Sequence, residues 1–296
     1  MNSSCSLLSF GQVAGGVNGP LLVALAKKVK HHDIDCVNLF REGGPLLGTL
    51  QCTGNGTPIP PGEHASFSDL LKNCESSNRQ LLNGIKEDGS HSEDLVRMCV
   101  DDAKLGRMSF PTIANDLELR EKVFSPRFCV EQGTRADGTV KLRAVDDFTR
   151  SGCNPCTTPS EKLHYDSLDV FVASLRVMAK QYSIDLEFWK ADIDAAYRRV
   201  LVAPEHRQFA WIFFKRRGTP LISQHFSLPF GSLASVHHWD RIGVLLFTLA
   251  DFLIIACRVR FASSSNRTSA TPFASAEVPS VPPNRFAFAF CPQVRR

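Results

Sequence analysis

Apolar positions recur along this chain at two periods, and the change from one to the other falls near residue 124. Before that point the spacing is helical. LLVALAKKVK, starting at Leu21, reads as an amphipathic helix ending in lysines. Leu70, Leu71, Cys74, Leu81 and Leu82 share one side of an expected helix over 66–85, with Ser68 as its N-cap. Leu95, Met98, Cys99 and Ala103 do the same for 92–105, which Gly106 stops.

After residue 124 the pattern is strand-like. Segments 128–131 and 139–145 flank Asp137-Gly138, a hairpin turn because both residues tolerate positive φ. Alternation in VKLRAV puts Lys141 and Arg143 on one face. Leu168, Phe171, Val172, Leu175 and Met178 predict a helix over 167–181, buried on one side. A short buried strand follows that delivers Asp192, with Asp194 one pleat further on the same side. Runs at 209–214 and 221–226, joined by KRRGTP, predict a second hairpin whose basic tip either touches nucleic acid or stays wet. Segment 232–246 is helical. Segment 242–257 reads as a core helix, since a membrane span needs about 20 apolar residues and Asp251 interrupts this run.

These textures suggest an N-terminal arm over 1–62, a helical region over 63–123, a mixed region over 124–250 and a low-complexity tail over 251–296. The boundary near 62 rests on TPIPPG, which denies continuation to helix and sheet alike. The Ser/Thr/Pro/Ala-rich tail builds no core and is expected to be disordered. Its onset near Leu246 is abrupt, as when a reading frame shifts, an intron is retained or a gene model is mistaken.

Composition is ordinary for a globular protein, at 43% hydrophobic and 22% charged. The net charge of +4 is mild but unevenly placed: residues 189–217 hold seven basic and three acidic side chains, the same excess as the whole chain. Such a strip attracts phosphate backbones or forms a solvated face. The cysteines are scattered and the start MNSSCSLLSF is polar, so reduced thiols in a cytoplasmic or nuclear setting, not a secreted one, are expected. Cys153 and Cys156, a C-x-x-C with His164 nearby, lack a second ligand pair and read as a plain loop. The glycines at 15, 16 and 19 lack phosphate-loop spacing. Asp101 and Asp102 point about 100° apart on a helix and read as a solvated face. Asp146-Asp147 reads as structural.

The densest chemistry is WKADIDAAYRRV at 189–200. A carboxylate delivered by a buried strand is costly unless a cation meets it, and in phosphate chemistry that cation is usually a divalent metal. The alternative is a strand-to-helix junction in which Asp194 caps the helix and the arginines are solvated.

Three blocks, KLRAVDDF with SGCN at 141–154, KADIDAAYRRVLVAPEHRQFAW at 190–211 and FSLPFGSLASVHHWDR at 226–241, resemble in order the reverse transcriptases of retrotransposons. The resemblance covers about residues 124–246, less than half of the chain. It implies an α+β fold, a polymerase fingers/palm-like antiparallel sheet backed by helices, with a helical N-terminal region. It further implies that Asp192 is the catalytic metal ligand, with the Ile193 backbone carbonyl as a further donor. Lys141 and Arg143 would grip the triphosphate, Tyr197 would gate against a 2′-hydroxyl, and Gly231 would face the template-primer. Arg198, Arg199, Arg207, Lys215, Arg216 and Arg217 would meet nucleic-acid phosphates. The implied cofactor is Mg²⁺ or Mn²⁺, and the implied partners are an RNA or DNA template-primer and a dNTP, with no membrane.

One departure weighs against turnover. The family's aromatic residue followed by paired aspartates is absent after the third block, where 242–296 contains only Asp251 and Glu277 as acidic residues. Two-metal phosphoryl transfer needs more carboxylate oxygens than Asp192 and Asp194 supply. The expectation is a partial, catalytically incomplete RNA-directed DNA polymerase domain. The alternatives are a non-catalytic nucleic-acid-binding remnant of a retroelement and a functionless product of a mistaken gene.

Overall fold

The computed structural model describes residues 17–60, 66–86, 89–165, 167–182 and 193–265. Among the described residues helices mix with three small sheets, the largest of five strands. These are β3 (Thr112–Ile113), β4 (Phe124–Thr134), β5 (Val140–Asp146), β8 (Trp211–Arg216) and β9 (Thr219–Gln224), in the order β3-β9-β8-β4-β5.

Both predicted hairpins form. The β4–β5 turn has Gly138 at φ +81°, and the Asp137 carboxylate accepts from the Thr139 N–H at 2.9 Å. The β8–β9 turn places Arg217 and Gly218 at φ +50° and +73°, the positive values that a tight hairpin needs. The sheet is nevertheless not purely antiparallel. β4 and β8 pair in parallel, Phe124 opposite Trp211, because a long crossover rather than a turn joins them.

Alternation along β8 explains the layers. Ile212 and Phe214 face one way and pack with Leu95, Cys99 and Ala103 of the helix Ser92–Lys104. Phe213 faces the other way, with Phe124 and Ile222, against Leu119 and against Leu81, Leu82 and Ile85 at the end of the helix Cys74–Gly84. Helices therefore cover both faces of this part of the sheet.

The expected helix over 66–85 is two helices, Phe67–Lys72 and Cys74–Gly84, with the break at Asn73. Ser66 rather than Ser68 holds the N-cap position, and the Ser68 hydroxyl bonds that of Ser66 at 2.6 Å. The helix Leu168–Tyr182 forms as spaced, but Leu168 is 74% exposed and none of its described side chains is buried. The last helix, Leu233–Ser265, runs straight through Leu246, so the start of the expected tail is helical. The strand expected to deliver Asp192 and the tail beyond residue 265 lie outside the described residues. Among the described residues no helix is long and apolar enough to cross a membrane.

The N-terminal arm is not a separate unit. Its helix Gly19–Lys28, capped by the Asn18 side chain, and the segment to Leu47 contribute Ala26, Cys36, Val37, Phe40 and Leu46 to one core with Val200, Val202, Leu228, Ile242 and Leu245. β1 (Gly48–Thr49) pairs with β6 (Thr157–Thr158), and β2 (Thr57–Pro58) pairs with β7 (Glu161–Lys162). The proline-rich segment thus starts with a paired strand. Just before it, the buried Glu161 carboxylate accepts the N–H groups of Thr53, Gly54 and Gly56 at 3.0–3.2 Å, which fixes the loop. Asp33 and Arg241 close the arm on the last helix with a buried two-point ion pair at 2.7 and 2.8 Å.

Candidate functional site

The three blocks meet in space. Arg143 stands exposed on β5, and its guanidinium carbon lies 5.3 Å from the centre of the Phe230 ring. The Phe230 and Tyr197 rings are 4.9 Å apart, and the Trp239 ring lies edge-on to Tyr197 at 6.4 Å. Tyr197 sits in a tight turn, Ala196–Arg199, preceded by Ala195 in the left-handed conformation. Burial raises the Tyr197 phenol, with Arg143 pulling the other way. Tyr165, 63% exposed, stands near Asp240 and Tyr197, and partial burial followed by their charges pushes its phenol up. Lys141 is exposed two residues from Arg143, on the same face of β5, as the alternation predicts.

Beneath the stack is a buried polar hub. Arg127 donates from Nε and Nη2 to the two oxygens of Asp146 at 2.7 and 3.0 Å. His225 bonds Asp146 through Nε2 at 2.9 Å and meets Arg198 Nη1 through Nδ1. This pairing makes Nε2 the protonated nitrogen of a neutral imidazole. Arg198 in turn pairs with Asp102 at 3.4 Å. Two arginines and two carboxylates balance, so the fold carries this charge inward without an unpaired member. Burial and then Arg198 hold His225 down to about 4. Burial alone would raise Asp146, but Arg127 and then His225 hold its carboxyl far below the usual range. The hub ties β4, β5, the Tyr197 turn and the helix Ser92–Lys104 together, and so fixes Tyr197 relative to Arg143.

Several expected roles change. Arg198 is buried at 6% exposure and paired within the hub, so it contacts no phosphate. Asp102 is not a solvated residue, since it meets Arg198 and, at 3.6 Å, Arg107. Gly231 owes its glycine to the fold: with φ at +131°, an added Cβ would strike the Asp146 carbonyl oxygen. The basic hairpin tip is docked, with Arg216 and Arg217 on Glu93 at 2.9 and 3.2 Å and Lys215 donating to the Ile85 carbonyl. Arg207 is half-buried, and its Nε has no hydrogen-bond partner among the described residues. Arg199 pairs with Asp194 at 3.6 Å. The closing Asp146-Asp147 pair is structural, as expected: Asp146 sits in the hub and Asp147 accepts the Arg150 N–H. Cys153 and Cys156 are buried in the core, with Cys153 pushed up to about 12 by burial.

Asp192 lies outside the described residues; Ile193 follows it, 44% exposed. Asp194 is not a helix cap, because Ala195 takes that position. Its exposed carboxylate faces Arg199 and Arg107, the latter at 3.9 Å, so positive charge already stands where a cation would bind. Among the described residues no group of three or more His, Cys, Asp or Glu could hold a metal ion. Arg127, His225 and Trp239 were not singled out as site residues; His225 directly follows a β-strand and offers no signal of its own.

The chain matches no family model and no curated protein.

Proposed function

We propose that this chain binds nucleotide and primed template as a partial reverse-transcriptase-type domain, a fingers/palm-like arrangement without turnover of its own. One observation carries the proposal. Arg143, Tyr197 and Phe230 come from three separate sequence blocks and form one stack. A cation beside two aromatic rings suits a nucleotide, whose base or sugar packs on the rings while its phosphates meet Arg143 and Lys141. The divalent ion that the resemblance implies, Mg²⁺ or Mn²⁺, has Asp192 and at most Asp194 as its carboxylates, and Asp194 also lies near two arginines. Two carboxylates at most hold no pair of ions in catalytic geometry, so no chemical step is assigned to this chain.

The test is equilibrium binding of a dNTP in the presence of Mg²⁺ and primed template, alongside primer extension. Arg143→Ala is expected to weaken dNTP binding about tenfold, the worth of one charge-assisted contact. Tyr197→Ala is expected to lessen discrimination against ribonucleotides. Asp192→Asn is expected to leave extension unchanged because there is none to lose. Extension by the wild type that Asp192→Asn abolishes would overturn the absence of turnover, and dNTP binding indifferent to Arg143 would overturn the site.

A further inference from the structure

Away from the stack, a cleft of about 390 Å³ opens where the end of the helix Cys74–Gly84 passes over β4 and β8. Lys86, Arg150 and Lys215 line it, with Asp147 as the one acidic lining residue among the described residues; Arg127 borders it too, but Asp146 cancels that charge. Asp147 already accepts the Arg150 backbone N–H at 2.9 Å. Lys215 gives one N–H to the Ile85 carbonyl at 2.9 Å, which leaves its ammonium two more donors. Among the described residues, no carboxylate forms an ion pair with Lys86 or with Arg150. The Arg150 guanidinium lies over Gly84, where a Cβ would come within 3.2 Å of its Nη2. Among the described residues three cations and one carboxylate face this cavity; Glu87 and Asp88, next to Lys86 in the sequence, lie outside those residues.

The remaining wall is apolar. It includes buried Pro126 and the Phe128 ring, which is 39% exposed although its strand neighbours Arg127 and Pro126 are buried. A cationic end beside a flat apolar end is complementary to a phosphate joined to a base. The volume lies within the range of small-ligand sites.

We propose that this cleft binds the phosphate of a nucleotide through Lys86, Arg150 and Lys215, with the base against Phe128. The nucleotide is either free or one unit of a single strand. The site shares no residue with the Arg143–Phe230–Tyr197 stack and stands whether or not that stack binds dNTP.

The full chain is titrated with inorganic pyrophosphate and, separately, with a short labelled oligothymidine. The proteins are the wild type, Lys86→Gln/Arg150→Gln, and Lys141→Gln/Arg143→Gln. Lys86 and Arg150 are exposed, so the fold is expected to survive their change, which circular dichroism checks. The Lys86/Arg150 variant is expected to lose about tenfold in affinity for at least one probe, while the Lys141/Arg143 variant keeps pyrophosphate binding. Loss confined to the oligonucleotide identifies a strand as the source of the phosphate, and loss confined to pyrophosphate identifies a free nucleotide. Phe128→Ala is expected to weaken the oligonucleotide and not pyrophosphate. Unchanged affinity of the Lys86/Arg150 variant for both probes overturns the proposal. If only the Lys141/Arg143 variant loses binding, the cleft is excluded and the stack alone is retained.

Discussion

A β-carbon on Gly231 would stand 1.9 Å from the carbonyl oxygen of Asp146. The turn within the third block is therefore pressed against the end of β5, and Asn154 clamps it from the side by donating to the Gly231 carbonyl and accepting the Leu233 N–H, both at 2.9 Å. Gly231→Ala is expected to cost about 2–4 kcal/mol, from the clash and from the positive φ together. Urea unfolding measures it. A loss below about 0.5 kcal/mol would mean that the turn moves freely off β5.

The hub and the hairpin tip both contain arginine–carboxylate pairs, but their burial differs. Arg127→Leu leaves Asp146 buried without its main counter-charge and is expected to cost about 3–5 kcal/mol. Arg217→Ala, at a side chain 80% exposed, is expected to stay within about 1 kcal/mol. Equal shifts of the two unfolding midpoints would contradict the assignment of the hub as a structural centre.

His225 and His238 are both held down to about 4 from the ordinary 6.5, chiefly by burial. Between those values the unfolded chain binds more protons than the folded one, so stability rises with pH across the window and is lost as pH falls from about 6.5 toward about 4. Each histidine accounts for about 3 kcal/mol when the window is crossed completely. Asp146, with its depressed carboxyl, adds a further loss as pH falls below the ordinary carboxylate range. Unfolding midpoints at near-neutral pH, about 5.5 and about 4.5 are the measurement. A flat profile there would show that these imidazoles are not buried neutral.

Primed-template binding is expected to weaken with salt in proportion to the phosphates met. Removing a basic side chain that meets a phosphate lowers the salt slope by about one, and Arg199→Ala is expected to do so. Arg198→Gln is expected to destabilise the fold and leave the slope of the folded fraction unchanged, since its guanidinium is spent on Asp102 and His225. A lowered slope for Arg198→Gln in folded protein would return that residue to the nucleic-acid surface.

Local chemistry sufficed for the elements that depend on neighbours in the chain. The two hairpins turn on Gly138 and Gly218, which take positive φ without a Cβ penalty, and Leu95, Cys99 and Ala103 form the buried side of a helix because of their spacing. The shared face of Lys141 and Arg143 follows from the period of a strand. What the spacing did not reveal depends on partners distant in the chain. A charged residue in the sequence carries no mark of which opposite charge it will meet, so Arg198 looked like one more solvent-facing cation until the fold brought Asp102 and His225 to it. The arm looked separate for the same reason: prolines at 58 and 60 signal a break in local structure, while the core that joins Cys36 and Phe40 to Val202 and Leu245 forms only when both ends of the described chain are packed together.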